Sequence, residues 1–106
     1  MTTLRYDIVG VRHLNALYTR SKLRAQVAAL LRNPTAFIGR KANSRAVKVW
    51  TGSAALTPQN RARITGEYRD VVILTGMNID AATNAYARAM GVTLRDDGCI
   101  GEGKSG

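Results

Sequence analysis

His13 is the only histidine in the chain and Cys99 the only cysteine. A histidine works as a general base or a metal ligand only when partners are placed around it. Asp7 is the one acid close to it in sequence, and no second His or Cys stands at a metal-ligand spacing. His13 therefore reads as structural or solvated. A lone cysteine forms neither an internal disulfide nor a Cys-rich zinc site. Asp96-Asp97 is an acidic pair of the kind that holds Mg²⁺ beside substrate phosphates, though its plainer reading is a solvated turn. No G-x-S-x-G nucleophile elbow occurs. Gly101-Glu102-Gly103 has no helix after it, so no phosphate loop, cofactor or metal is expected. What the residue types do offer is cationic. Arg20, Lys22, Arg24, Arg40, Lys41, Arg45, Lys48, Arg61 and Arg63 can each neutralise a phosphate, and Trp50 lies among them as a ring on which a base can stack. As an alternative, Trp50 is a core residue and the cations form a solvated face.

The charge distribution sharpens this reading. The 106 residues carry 16 Lys+Arg against 7 Asp+Glu, a formal net charge of +9. Residues 1–66 hold +11, with Asp7 as their single acid, whereas residues 67–106 hold −2. Such asymmetry speaks about partners rather than fold. It favours a polyanion, namely DNA, RNA or an acidic protein surface. No apolar run approaches the ~20 residues of a membrane helix, and Met1-Thr2-Thr3-Leu4-Arg5 has no signal-peptide core, so a cytoplasmic, non-membrane setting is expected. A chain of this length buries roughly 60–70% of its unfolded surface, and a hydrophobic content of 45% agrees with one folded domain. The domain is placed at residues 1–98, with 99–106 as a Gly-rich tail.

Several elements must position these residues. Residues 6–11 are β-prone. A helix is expected over 14–31, with Leu23, Val27, Leu30 and Leu31 on one face and Asn33-Pro34 ending it. Strands at 35–39 and 45–50 flank a polar connector of hairpin length. Thr57-Pro58 reads as N-cap and first helical residue, and Gly66 as the C-cap. Val71-Val72-Ile73-Leu74-Thr75 is an unbroken apolar run, the mark of a strand covered on both faces and usually parallel. Asn78 caps a helix at 79–90 with Ile79, Ala82, Tyr86 and Ala89 as its stripe, and Gly91 stops it. Residues 92–95 form a last strand. The expected fold is α/β: a small mixed sheet with flanking helices in the order β-α-β-β-α-β-α-β, closed by a right-handed parallel βαβ unit over 71–95.

Residues 35–100 resemble the core of the Mrr-type restriction endonucleases, in the PD-(D/E)xK nuclease superfamily. Val71-Val72-Ile73-Leu74-Thr75-Gly76 resembles that family's strand ending in Thr-Thr/Ser-Gly. Asn78-Ile79-Asp80-Ala81-Ala82 with Tyr86-Ala87 is similar to its F-[ST]-x-x-A helix start. Gly91-Val92-Thr93-Leu94-Arg95-Asp96-Asp97-Gly98 is similar to its G-[IV]-x-L-[IL]-D-G. Arg45-Ala46-Val47-Lys48-Val49-Trp50 falls where the family places x-A-V-[QE]-x-K. The resemblance implies a nuclease-like scaffold with a habit of binding nucleic acid. It does not carry catalysis over. Thr35, Lys48 and Trp50 stand where the family has the residues that hold metal and activate water, and no acid lies between Asp7 and Glu67. Hard divalent cations need oxygen ligands. An active enzyme would have to draw on Asp7, Glu67, Asp70, Asp80, Asp96 and Asp97.

A second resemblance covers residues 8–66. Ile8-Val9-Gly10-Val11-Arg12-His13, Leu31-Arg32-Asn33-Pro34, Asn43-Ser44-Arg45-Ala46-Val47-Lys48-Val49 and Leu56-Thr57-Pro58 are similar to the HIRAN domain, a small β-barrel that binds DNA ends. It leaves 71–95 unexplained. Both resemblances imply a non-catalytic nucleic-acid-binding protein, with weakly specific backbone contacts. A different class of function is a protein-interaction module, docking its basic face on an acidic partner as inhibitor or subunit. A homodimer contact through Ala81, Ala85 and Ala87 of the closing helix belongs to the same class.

Overall fold

The computed structural model describes residues 5–11 and 17–95. It is a mixed α and β chain with three helices. The elements run β1 (Asp7–Val11), β2 (Leu17–Thr19), α1 (Arg20–Leu30), β3 (Thr35–Lys41), β4 (Lys48–Gly52), α2 (Pro58–Glu67), β5 (Tyr68–Ile73), α3 (Ile79–Met90) and β6 (Thr93–Arg95). Four strands form an antiparallel sheet in the order β1-β4-β3-β5. β2 and β6 form a separate parallel pair.

The helices begin where side chains satisfy orphan backbone N–H groups. The Thr19 hydroxyl accepts from Lys22 N–H at 3.2 Å, Thr57 from Asn60 N–H at 3.1 Å, and Asn78 Oδ1 from Ala81 N–H at 2.8 Å. Gly91, at φ 73°, closes α3 in the left-handed region that glycine adopts without penalty.

The sheet divides the core in two. On one face Ala36, Ile38, Val47, Val49 and Leu74 pack against Val27 of α1 and Ala82 and Met90 of α3. On the other face Phe37 and Trp50 pack against Ile64 of α2, with Tyr6, Tyr68, Val71 and Ile73 around them. Alternation along β3 and β4 sends neighbours to opposite faces. β3 is one of the two inner strands and is buried from Thr35 to Gly39. Each large apolar side chain buried in this way contributes about 1.5–3 kcal/mol.

Several expectations need correction. The strand at 68–73 runs antiparallel to β3, and β6 pairs with β2, so β5 and β6 do not share a sheet and the expected parallel βαβ unit is absent. An apolar run reports burial on both faces, which α2 below and α1 and α3 above provide here, and it does not report strand direction. The helix expected over 14–31 begins at Arg20, because Leu17–Thr19 are extended by pairing with β6. Residues 14–16 lie outside the described residues. The second hairpin strand starts at Lys48 rather than Arg45, because the turn takes up Ala42–Val47, with Asn43 at φ 67°. Gly66 does not end α2, which continues to Glu67 and passes directly into β5. Among the described residues β1 and β5 are the edges of an open sheet, whereas the HIRAN resemblance implies a closed barrel. Ala87 is buried and Ala85 half-buried, so the small face proposed for a homodimer largely packs inside the domain. The tail expected at 99–106 lies outside the described residues. Among those that are described, no helix is long and apolar enough to cross a membrane.

Candidate nucleic-acid interface

Strand register decides which cations meet. Lys41 lies opposite Tyr68, Arg40 opposite Arg69, and Gly39 opposite Lys48. The end of β3 and the starts of β4 and β5 therefore form one end of the sheet. Arg40, Lys41, Arg45, Lys48 and Arg69 gather there, with Arg45 on the hairpin turn.

The two faces of this end differ. Lys41 follows Phe37 and Gly39 in the alternation of β3, and Lys48 shares the face of Trp50. The Lys41 ammonium lies 5.4 Å and the Lys48 ammonium 6.0 Å from the Trp50 ring centroid. Each such contact is worth about 0.5–1 kcal/mol at an exposed site. Two like charges share one indole, so they also repel each other. On the opposite face Arg40 and Arg69 stand directly across from each other, an arrangement that like charges disfavour. Asp70 offsets it with an ion pair to Arg40, Nε to Oδ2 at 2.9 Å. Asp70 sits at φ 53°, where β5 carries one residue more than β3 between the Ile38 and Arg40 pairings. This bulge turns Tyr68 onto the aromatic face. Gly39 makes room for it, since a Cβ there would come within 3.3 Å of the Arg69 carbonyl and 3.4 Å of Tyr68 Cβ.

Trp50 belongs to the core. Only 3% of it is exposed. Phe37 stacks with it at 6.3 Å and Tyr68 tilts against it at 5.0 Å. Tyr6 meets Phe37 edge-on at 5.1 Å. No ring face remains for a base, so base stacking on Trp50 is replaced by a structural role under the two lysines. Trp50 Nε1 and the Tyr6 hydroxyl are buried with no hydrogen-bond partner among the described residues. Burial pushes both the Tyr6 and the Tyr68 phenol upward, and Glu67 adds to each shift; Arg63 opposes it at Tyr6.

The other expected cations lie elsewhere. Arg20, Lys22 and Arg24 are exposed on α1, on the α1/α3 side of the sheet. Arg20 donates to Asn84 Oδ1 at 3.1 Å, and Arg24 pairs with Asp80 at 3.5 Å. These two cations thus serve the α1–α3 contact. Arg61 and Arg63 are exposed on α2, the helix of the Trp50 face. The expected set is therefore split by the sheet, and Arg40, Lys41, Arg45 and Lys48 are the members brought together. Sequence reasoning misses Arg69. Its signal, a position beside a β-branched run, is silent until pairing sets it opposite Arg40.

Thr35 and Trp50 are buried, and the Thr35 hydroxyl donates to the Ala54 carbonyl at 2.6 Å. Among the described residues no three His, Cys, Asp or Glu side chains gather where a metal ion would be held. His13, Asp96, Asp97 and Cys99 lie outside the described residues. So does Gly98-Cys99-Ile100-Gly101-Glu102-Gly103-Lys104-Ser105, whose spacing fits G-x-x-x-x-G-K-[ST]. That corrects two readings of this stretch, as lacking a phosphate-loop spacing and as glycine-rich tail alone. A phosphate loop lies between a strand and a helix, and β6 (Thr93–Arg95) precedes this stretch.

Comparison with known proteins gives no matching family model, no matching curated protein and no matching solved structure.

Proposed function

We propose that this chain is a non-catalytic nucleic-acid-binding protein whose contacts go to the phosphate backbone. The observation that carries this reading is the gathering of Arg40, Lys41, Arg45, Lys48 and Arg69 at one sheet end, against Glu67 and Asp70 as the acids there. Lys41 and Lys48 hold their ammonium groups over the same indole. A phosphate nearby relieves their repulsion and gains charge-assisted contacts. The +11 balance of residues 1–66 adds a long-range field that speeds encounter with a polyanion.

The chemistry of the Mrr-type core, which residues 35–100 resemble in sequence, does not carry over to this chain. Thr35 spends its hydroxyl on the Ala54 carbonyl, Trp50 fills the core, and Lys48 would repel a metal ion. No base-reading element is evident in the cation set, so binding is weakly sequence-specific.

The test is fluorescence anisotropy of labelled DNA and RNA over a range of salt. The expected result is a log K that falls linearly with log salt, each phosphate contact contributing about 0.9 to the slope on duplex DNA. Absence of binding to either nucleic acid at low salt overturns the reading and leaves an acidic protein surface as the partner of the basic face.

A further inference from the structure

We infer that the polyanion this sheet end accepts is a duplex rather than a single strand. The inference rests on the nucleic-acid reading above and concerns the same site. Two observations carry it.

The first is the arrangement of the cations on both faces of one end of the sheet. Lys41 and Lys48 stand on the Trp50 face, while Arg69 stands on the opposite face beside the Arg40–Asp70 ion pair, and Arg45 on the turn between. Cations on two sides of a single layer meet two rows of anions more readily than one. A duplex offers two phosphate rows flanking a groove, the major groove being about 12 Å wide and the minor about 6 Å. A single strand offers one row.

The second is the state of the aromatic rings beside these cations. Proteins that hold single strands without sequence preference stack bases on open rings, each worth about 1–3 kcal/mol. Here Phe37 and Trp50 are buried, and Tyr6 and Tyr68 turn their rings onto them. The rings beside this charge are thus already engaged with one another, Phe37 and Trp50 buried and Tyr6 and Tyr68 half-buried. What remains for recognition is phosphate geometry, and that geometry is fixed in a duplex and fluid in a single strand.

The experiment compares a short labelled DNA duplex with each of its separated strands, using the whole chain at matched salt. Two variants separate the faces: Lys41→Gln with Lys48→Gln on one, and Arg69→Gln on the other. Glutamine removes the charge while keeping the first half of the lysine stem, and circular dichroism checks that each variant folds. The expected result is a duplex bound at least tenfold more tightly than either strand. The duplex salt slope should fall by about two in the double variant and about one in Arg69→Gln. Strands bound as tightly as the duplex overturn the inference and leave backbone binding standing. A slope that falls in only one of the two variants also overturns it, because the anion rows would then meet one face alone. Displacement of the duplex by polyglutamate at equal charge would show that any polyanion suffices, and would overturn it as well. Failure of every nucleic acid to bind would instead remove the parent reading.

Discussion

Gly52→Ala tests how the aromatic face is held together. Gly52 ends β4 opposite Thr35, and the Tyr6 ring lies over it. A Cβ at this position would come to 2.6 Å from Tyr6 Cε1 and 3.0 Å from the Arg5 carbonyl oxygen, and closer still to Tyr6 Cδ1. Two opposed effects set the direction of the change. Replacing glycine within a strand ordinarily gains about 0.5–1 kcal/mol, because alanine loses less backbone freedom on folding. Forcing a ring out of a packed site costs about 1–3 kcal/mol, and the edge-on contact of Tyr6 with Phe37 accounts for about 0.5–1.5 kcal/mol. The clash outweighs the backbone gain, so the net loss is about 1–2 kcal/mol, which lowers the melting temperature by about 5–15 °C in a domain of this size. Thermal melting followed by circular dichroism measures the loss, and Trp50 fluorescence follows the opening of the cluster. The decisive comparison is a double-mutant cycle with Tyr6→Ala. With the ring gone, most of the loss should disappear, leaving only the close contact with the Arg5 carbonyl oxygen. An equal loss in both backgrounds, or a single variant that melts at or above the parent temperature, would refute the steric account.

Two further outcomes follow from the same face. The Tyr6 and Tyr68 phenols titrate above the usual tyrosine value of about 10, chiefly through burial and then through Glu67. The folded state therefore holds these protons longer than the unfolded state, so their contribution to stability is complete below about pH 10 and declines as pH rises above it. A phenolate absorbance titration should show Tyr6→Phe and Tyr68→Phe each removing a late-ionising group, and ionisation of every tyrosine at the ordinary value would contradict this. Ile64 is the buried side chain through which α2 reaches the sheet. Ile64→Ala should cost about 2–5 kcal/mol in denaturant unfolding and loosen the environment of Trp50, whereas a loss below about 1 kcal/mol would mean that α2 is held some other way.

The local grammar of the chain is legible in sequence. Thr57, Asn78 and Gly91 act at the helix ends where their types and positions place them, because capping is settled by hydrogen bonds within a few residues. Leu23 and Val27 are buried, and Leu30 and Leu31 half-buried, because the 3.6-residue period places them on one side of α1 whatever that side meets. The basic character of residues 1–66 is likewise a property of composition alone.

Tertiary structure decides the rest. The run at 71–75 is apolar in either strand direction, and only its pairing with β3 makes it antiparallel. Leu17–Thr19 favour the extended state only because β6 lies beside them. In sequence Trp50 suits a core position and also a stacking surface, and the rings of Phe37 and Tyr68 place it in the core. Arg69, some thirty residues along the chain from Arg40, joins the candidate site only when β3 and β5 come into register. Caps and periodicities arise from contacts a few residues apart, which sequence dictates directly. The interface arises from contacts between strands distant in the chain, and these exist only once the whole sheet has chosen its order.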